Sequence, residues 1–308
     1  MTLNISKEMK MRKSMLVSSF LFTTALALAT PAIAAPDWSA VAGALGKSGT
    51  EGAGGAYRVG LPRTDLAVTL DGITLKPTFA LGSWVAFLPM GNNVMAMGDL
   101  VLTEDEVDPV MKKLGENGIQ ISALHNHLFH ASPATFYMHI YGEGDGVKLA
   151  TAIHEGLALS KTPFPAPGAA PAGPPPAIDL DTAAIDAALG AKGSNSAGVY
   201  QVNIARSAPV KEAGMTLPIP MGASEAINFQ PLGGGKAAIT GDFMLTAAEV
   251  NPVLRTLREN GIEVTALHNH MLTDEPRLFF MHFWAHDDLA KLLTGLKAAM
   301  GHVAVKKS

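Results

Sequence analysis

Hydrophobic positions recur along the chain at two spacings, one typical of helices and one typical of strands. Apolar side chains three or four residues apart predict helices with one buried face, at Val107, Val110, Met111 and Leu114 and again at Val250, Val253, Leu254 and Leu257. Shorter apolar runs bounded by Gly and Pro predict strands, around 57–61, 66–75, 84–88, 94–102 and 136–141. A further helix is predicted to open each half of the chain and another to close it.

The start of the central helix has two possible readings. Thr103 with Glu106, and Thr246 with Glu249, fit a capping box. Proline follows at position 109 in the first half and 252 in the second, so the regular helix could instead begin there with proline in its first turn. Both readings stay open at this point, and Gly118 and Gly261 are placed to end the helices.

The order of elements repeats because the sequence itself repeats. A shift of 143 residues aligns Gly98-Asp99-Leu100 with Gly241-Asp242-Phe243, and His125-Asn126-His127 with His268-Asn269-His270. The repeated unit is about 120 residues long. An internal repeat of this size predicts two copies of one structural unit.

Within each copy the order is strand, helix, strand, strand, helix. That order predicts an α+β fold of two tandem ferredoxin-like (split β-α-β) repeats, with antiparallel sheets and the helices on one face. This layout leaves the other sheet face free. The two copies could therefore join their free sheet faces.

Composition shifts place the expected boundaries. Seven prolines from Pro163 to Pro176 lie among Ala and Gly, which predicts an extended, semi-rigid linker over 161–177. Repeat 1 is then expected at 35–160 and repeat 2 at 178–308.

Residues 1–34 have the pattern of a secretory signal peptide. A basic stretch at 7–13 precedes an apolar run from Met15 to about Ala29, followed by the small-residue site Ala32-Ile33-Ala34. The run is shorter than the roughly 20 residues that a spanning helix requires. We expect cleavage near Ala34, a periplasmic or secreted protein, and no transmembrane anchor in the mature form.

Charge and cysteine content narrow the possible partners. The chain has 308 residues, of which 48% are hydrophobic and 16% charged, and its net charge is −4. Without residues 1–34 the charge is −7, from 19 basic and 26 acidic residues, and no run of Lys or Arg remains. Such a body lacks what phosphate neutralisation requires, so nucleic acid is not an expected partner. There is no cysteine, so a metal site must use His, Asp, Glu, Asn or Met.

The candidate chemistry lies in six of the ten histidines. Those that recur between the copies are His125, His127, His139, His268, His270 and His282. Side chains two apart in a strand share a face, and the third histidine of each set lies on the next predicted strand, where cross-strand neighbours are roughly 5 Å apart. Three imidazoles meeting in this way are typical of open zinc sites, and also suit copper, manganese or iron. Met138 and Met281 precede the third histidine of each copy, and strand alternation predicts that they point into the core. If the strand is irregular there, a thioether beside the histidine would favour copper.

Other candidates have functional and structural readings. Asp99 and Asp242 could accept a hydrogen bond from an imidazole or act as acid-base groups, or they could simply form turns after glycine. Arg63 and Arg206 could bind an anionic ligand, although such arginines more often pair with a carboxylate. The histidines themselves could be structural, ordering a hairpin through hydrogen bonds.

Three strings carry a family resemblance: GDLVLTEDEV at 98–107, ALHNHL at 123–128 and EPRLFFMHFW at 275–284. With these strings the chain resembles the LppY/LpqO family of exported bacterial proteins over nearly its whole mature length. The resemblance implies export and a two-repeat body, and it supplies no reaction because the family is a domain of unknown function. Its named members are lipoproteins, whereas this chain has no cysteine to acylate.

Three functions remain possible from the sequence. The first is an exported soluble protein that binds a transition metal, zinc or copper, at two three-histidine sites or at one site between the halves. The second is a metal-dependent enzyme, a hydrolase or lyase, that acts on a small substrate. The third is a ligand-binding or envelope-interaction module without a metal.

Overall fold

A computed structural model describes residues 35–164 and 173–306. The predicted signal peptide and the middle of the predicted linker lie outside these residues. In the first half the helices and strands are α1 (Trp38–Leu45), β1 (Thr50–Glu51), β2 (Tyr57–Pro62), β3 (Thr69–Leu70), β4 (Ile73–Thr74), α2 (Pro77–Ala80), β5 (Gly82–Met90), β6 (Asn93–Thr103), α3 (Glu104–Glu116), β7 (Gln120–His125), β8 (Thr135–Gly144) and α4 (Gly146–Leu157).

The second half repeats this order. Its helices and strands are α5 (Thr182–Leu189), β9 (Ser194–Ser196), β10 (Val199–Ile204), β11 (Lys211–Glu212), β12 (Met215–Thr216), β13 (Glu225–Gly233), β14 (Lys236–Leu245), α6 (Ala247–Glu259), β15 (Glu263–His268), β16 (Phe279–Asp288) and α7 (Leu289–Met300). A 3₁₀ turn at Ile219–Met221 takes the place of α2, and a second 3₁₀ turn lies at Ala53–Gly55. Within the described residues, no helix is both long and apolar enough to cross a membrane.

Each half is built on one antiparallel sheet of six strands, as the predicted α+β class requires. The strand orders are β1-β2-β5-β6-β8-β7 and β15-β16-β14-β13-β10-β9. The strands on either side of α3 flank β8, which is a split strand-helix-strand arrangement. A ferredoxin-like chain would add its remaining strand after the second helix, whereas here β5 precedes β6, so that name stays unconfirmed.

Helices cover one face of each sheet and form a core with it. In β6 the alternate residues Val94, Ala96, Leu100 and Leu102 belong to the core shared with α1, α3 and α4. The residues between them point the other way, and β6 is buried along almost its whole length. Burial on both faces means that a second layer lies against the side without helices.

The second layer is the other half of the chain. Met95 and Met97 of β6 share a cluster with Met244 and Phe280 of the second half. A further cluster joins Phe79 and Tyr137 of the first half to Val199 and Trp284 of the second, with Trp284 stacked edge-on to Phe79 at 6.1 Å. The predicted joining of the free sheet faces is therefore present.

The central helices start at the capping boxes. Thr103 caps α3 and Thr246 caps α6, with Glu106 and Glu249 completing each box. Pro109 and Pro252 lie inside the helices, so the alternative start at proline does not occur. The carboxylates of Glu106 and Glu249 also bind buried arginines, described below, and this contact helps to fix the helix start at the capping box.

Candidate metal centre

The six recurrent histidines meet in one cluster between the halves. Their rings stack in three pairs, each joining one ring from either half: His125 with His268 at 3.4 Å between centroids, His127 with His282 at 3.6 Å, and His139 with His270 at 3.7 Å. The sequence predicted one trio in each half or one site where the halves meet. The geometry is that of a shared site.

Strand pairing places each histidine and the aspartate beside it. His125 and His268 are the last residues of β7 and β15, and His139 and His282 lie on β8 and β16. His127 lies in the loop after β7, since the strand predicted to continue through it ends at His125. Asp99 pairs directly with His139 across β6 and β8, and Asp242 with His282 across β14 and β16.

One nitrogen of each histidine and one oxygen of each aspartate in this cluster lack hydrogen-bond partners. Among the described residues, the Nε2 atoms of all six histidines and the Oδ1 atoms of Asp99 and Asp242 are buried without a hydrogen bond. An unsatisfied buried polar group costs about 1–3 kcal/mol. Eight of them at one place cost about as much as the whole stability of a typical domain, roughly 5–15 kcal/mol.

Three of the rings are held with Nε2 directed into the cluster. The Nδ1 atom of His125 lies 3.2 Å from the carbonyl oxygen of Asn126, that of His268 lies 3.0 Å from Asn269, and that of His282 lies 2.8 Å from Gly241. A carbonyl accepts only from a protonated Nδ1, which leaves the lone pair of Nε2 free. Metal-binding histidines are oriented in this way by the hydrogen bond of the other nitrogen.

No hydrogen bond joins the histidine Nε2 atoms to the aspartates, and the distances between them fit ligands around an ion. From Asp99, the nearest carboxylate oxygens lie 3.7 Å from His139 Nε2 and 4.0 Å from His127 Nε2. From Asp242, they lie 3.4 Å from His270 Nε2 and 3.9 Å from His282 Nε2. Zinc-nitrogen bonds of 2.0–2.1 Å place tetrahedral ligands about 3.3 Å apart, close to these values.

Three groups in the described chain have all their ligand atoms within 4.8 Å of one another. They are His125, His127 and His139; Asp242, His270 and His282; and His125, His268 and His270. The first two groups each belong to one half, and the third spans both. The third group shares His125 with the first and His270 with the second, and His268 occurs only in the third.

Burial keeps the imidazoles neutral. It lowers the pKa of His125 to about 3, with His268 adding to the effect, and the pKa of His268 to about 4. The other four histidines have pKa values well below the usual range for the same reason. Burial also raises the pKa of Asp99 to about 7 and that of Asp242 well above its ordinary value. Neutral imidazoles are the form that binds metals.

Two crossed sets of hydrogen bonds hold the histidine loops in place. The side-chain amide of Asn269 donates to the carbonyl of Ser122 at 2.9 Å, and that of Asn126 donates to the carbonyl of Thr265 at 3.4 Å. In return, the Ser122 hydroxyl donates to the carbonyl of His270, and the Thr265 hydroxyl to that of His127. Ser122 and Thr265 lie at the irregular position of their strands. Each half thus fixes the other half's histidines.

A cavity of about 480 Å³ opens onto the cluster. Its walls include four of the histidines, both aspartates, Arg58 and Trp84 from the first half, and Gln201, Asn203, Asn228 and Thr240 from the second. The Arg58 guanidinium stacks on Trp84 at 3.8 Å and donates to the carbonyl of Pro220. Burial lowers the pKa of Arg58 to about 10, although Asp99 opposes the effect.

The two arginines named as anion candidates lie elsewhere, in buried ion pairs. Arg63 is fully buried and binds Asp65 at 2.8 Å, Glu106 at 2.7 Å and the carbonyl of Val101 at 2.7 Å. This arrangement is the carboxylate-pairing alternative.

Arg206 repeats it in the second half. It binds both oxygens of Glu249, at 2.8 and 2.9 Å, and lies 3.4 Å from Glu225. Neither guanidinium lines the cavity.

The methionines beside the third histidines also lie away from the cluster. Met138 and Met281 are fully buried in the helix-facing cores, as strand alternation predicted. Their thioethers are therefore on the opposite sheet face from the imidazoles.

Sequence reasoning missed the residues that act across the halves. Asn126 and Asn269 recur within the His-Asn-His strings, and both Ser122 and Thr265 carry hydroxyls at matching positions, so recurrence was an available signal. Arg58 gives no such signal, because Gln201 stands at the matching place.

Comparisons with known proteins agree with the doubled organisation. A family model described as Domain of Unknown Function (DUF1259) matches residues 39–159 and again 183–302. The match does not carry the LppY/LpqO name, so that resemblance stays an expectation. No curated protein matches the chain.

Two solved structures are weakly similar. The trimeric bacterial microcompartment shell protein PduB is 12% identical, with 80% of this chain and 86% of that chain covered and a TM-score of 0.18. EtuB from Clostridium kluyveri is 8% identical, with 82% and 88% covered and a TM-score of 0.20. Scores this low carry no conclusion about fold or function.

Proposed function

This chain belongs to the family described as Domain of Unknown Function (DUF1259), which names no reaction, and we propose from its site that it binds divalent transition-metal ions. The centre consists of the six recurrent histidines with Asp99 and Asp242. One observation carries the proposal: every imidazole Nε2 in the cluster is buried without a hydrogen bond.

A metal explains this observation better than a structural role for the histidines. A structural histidine has its ring nitrogens satisfied by protein or water, because an unpaired buried nitrogen is costly. Here the Nδ1 atoms of His125, His268 and His282 are paired and the Nε2 atoms are left free. Two bound cations, one beside each aspartate, would take these buried atoms as ligands and compensate the charge of the two carboxylates.

The ligand types favour zinc. Imidazole nitrogen and carboxylate oxygen bind zinc well, and they also suit copper, iron and manganese. The thioethers of Met138 and Met281 face away, which removes the argument for a copper site built on them.

The test is elemental analysis of protein purified without a histidine tag. We expect the wild type to retain close to two metal ions per chain. The double variant His125→Ala/His268→Ala removes one of the three stacked ring pairs that join the halves, and we expect its metal to be lost on dialysis against a chelator. The matched control is His286→Ala/His302→Ala, which removes two exposed histidines and keeps the metal.

Two results would contradict the metal-binding proposal. Wild-type protein that stays metal-free after incubation with zinc, copper, iron or manganese salts contradicts the proposal. If the cluster variant does not fold, as judged by circular dichroism, X-ray absorption of the metal-loaded wild type replaces it. Imidazole scattering around the metal supports the centre, and its absence contradicts it.

The cavity favours a second candidate, a metal-dependent enzyme of the hydrolase or lyase type. The cavity is lined in part by Asp99 and Asp242. A metal ion with an open coordination position facing the cavity could activate water or polarise a substrate. A metal carrier would not need a cavity of about 480 Å³. Turnover of small oxygen-rich compounds by metal-loaded protein, lost in the cluster variant, distinguishes the enzyme from the carrier.

We also propose that the protein is exported to the periplasm or secreted, on the basis of the pattern in residues 1–34. The N-terminal sequence of mature protein recovered from the native host tests this. We expect it to start near Ala35, and an intact N-terminus in the cytoplasmic fraction contradicts export.

A further inference from the structure

The cavity above the proposed metal centre contains a cation, Arg58, whose neighbouring carboxylate Asp99 lies beyond ion-pair distance and belongs to that centre. Among the described residues Arg58 forms no ion pair, and its hydrogen bond to the carbonyl of Pro220 uses one of the five N–H groups that a guanidinium offers. The side chain is held in place by stacking on Trp84. Holding a partly buried charge unpaired is costly, and a ligand anion would remove that cost.

Two other buried arginines, Arg63 and Arg206, differ from Arg58 in their ion-pair partners. Arg63 and Arg206 each have two carboxylate partners of their own half within 3.4 Å. The acidic residues that line the cavity are Asp99 and Asp242, which belong to the proposed metal centre, and the exposed Glu51. Arg58 is thus the guanidinium left available for something that enters the cavity.

The opposite wall is polar and neutral. The amide groups of Gln201 and Asn228 donate to the carbonyls of Thr78 and Phe79, which leaves their amide oxygens as acceptors. Asn203 accepts from the Ser224 hydroxyl at 3.1 Å, which leaves its amide NH₂ as a donor. Free acceptors beside a free donor fit hydroxyl groups, since a hydroxyl both donates and accepts.

We propose that this cavity binds a small hydroxylated carboxylate, with its carboxylate on Arg58 and its hydroxyls on Gln201, Asn203 and Asn228. The inference rests on the proposed metal function, because another oxygen of the same ligand faces the ion held by the histidines and aspartates. The planar guanidinium matches the two oxygens of a carboxylate. The volume lies within the range of small-molecule sites, roughly 300–1,000 Å³.

The matched probes are D-glucuronate and D-glucose, which differ in a carboxylate against a hydroxymethyl group. Both are titrated calorimetrically into metal-loaded wild type and into Arg58→Gln. This variant places in the first half the residue type that the second half has at Gln201. The control is Arg255→Gln, which removes an exposed arginine of α6 far from the cavity lining. Metal content is measured in every sample.

We expect glucuronate to bind the wild type and the control at least tenfold more tightly than glucose does. In Arg58→Gln we expect that preference to fall to within threefold while the metal content stays unchanged. Glucuronate binding that is absent, or that is equal in Arg58→Gln and wild type, overturns the inference and leaves the metal proposal standing. Inorganic phosphate binding more tightly than glucuronate also overturns the carboxylate assignment.

If the wild-type protein does not bind metal, the proposed metal-binding function fails, and this outcome is distinct from failure of the carboxylate-binding inference. If Arg58→Gln fails to fold, Arg58→Lys replaces it, since lysine keeps the charge and loses the two-pronged geometry. We then expect the glucuronate preference to fall at least threefold, and an unchanged preference overturns the inference.

Discussion

The two halves differ most where they face the cavity. Arg58, Ala86 and Met97 of the first half correspond to Gln201, Asn228 and Thr240 of the second. Ala86 and Met97 lie in an apolar cluster between the sheets, whereas the three residues of the second half line the cavity.

The metal-centre residues, in contrast, are identical in the two halves. All three histidines and the aspartate recur at matching places. The contrast separates the proposed metal centre, to which the two halves contribute the same residues, from the cavity, whose two walls differ.

The largest expected effect is on metal stoichiometry. Because one aspartate and its histidines repeat in each half, we expect two ions per chain. Asp99→Asn and Asp242→Asn should each reduce this to about one, since a neutral amide is a poor ligand for the ion, and the double variant should hold almost none. Elemental analysis after gel filtration measures the content. If either single variant loses both ions, the two halves form one coupled centre, and the prediction of one independent ion in each half is wrong.

A second comparison concerns the buried arginines. Arg63→Met and Arg206→Met each leave buried carboxylates without their cation, and breaking such a pair costs about 3–5 kcal/mol. We expect both to lower the free energy of unfolding by similar amounts in denaturant titrations.

Lys113→Met is the control for these variants. The side chains of Lys113 and its partner Glu155 are both more than one third exposed, so we expect a change below about 1 kcal/mol. If only one of Arg63→Met and Arg206→Met keeps the wild-type free energy of unfolding, the ion pairs of the two halves are not equivalent.

The third prediction uses a position where the halves differ. Ser83 and Glu225 both accept a backbone N–H of the next strand, from Val101 and Met244, but only Glu225 titrates. Burial raises its pKa to about 8, so the folded protein holds a proton that the unfolded chain releases near pH 4.5. Stability from this group is therefore complete below the unfolded pKa and declines as pH rises toward 8.

Glu225→Gln removes this dependence. We expect it to match wild type within about 1 kcal/mol at pH 5 and to exceed it by a few kcal/mol at pH 9, where the wild-type carboxylate is charged. Denaturant titrations at both pH values on metal-loaded protein measure the difference, and Ser83→Ala should show no such pH dependence. Equal differences at the two pH values would contradict the raised pKa.

The smallest effect is expected at the crossed hydrogen bonds. Ser122→Ala and Thr265→Val each remove one hydroxyl that holds the other half's histidine loop. We expect about 0.5–1.5 kcal/mol of destabilisation from each and weaker metal retention. Thermal unfolding and chelator competition measure the two effects. Thr294→Val on α7, whose hydroxyl bonds within its own helix, is the control, and metal retention equal to that of the control would show that the hydroxyls do not position the loops.

Prediction from sequence worked best for features within one repeat. The helical spacing from Val107 to Leu114, the capping boxes and the inward Met138 all follow from neighbours in the chain. The pairing of His139 with Asp99 was within reach, because it needs only that β6 and β8 be adjacent. The stacking of His125 on His268 was not, since it depends on how two sheets slide and rotate against each other.

The sequence alone determined the doubling of the unit, the order of helices and strands, and the identity of the candidate ligand residues. These follow from periodicity and recurrence, which are local properties of the chain. The tertiary structure alone decided that six rings form one cluster, that Arg63 and Arg206 pair internally and that Arg58 faces the cavity. The physical reason is that packing between sheets is set by the complementary shapes of buried surfaces, to which residues more than a hundred positions apart contribute together.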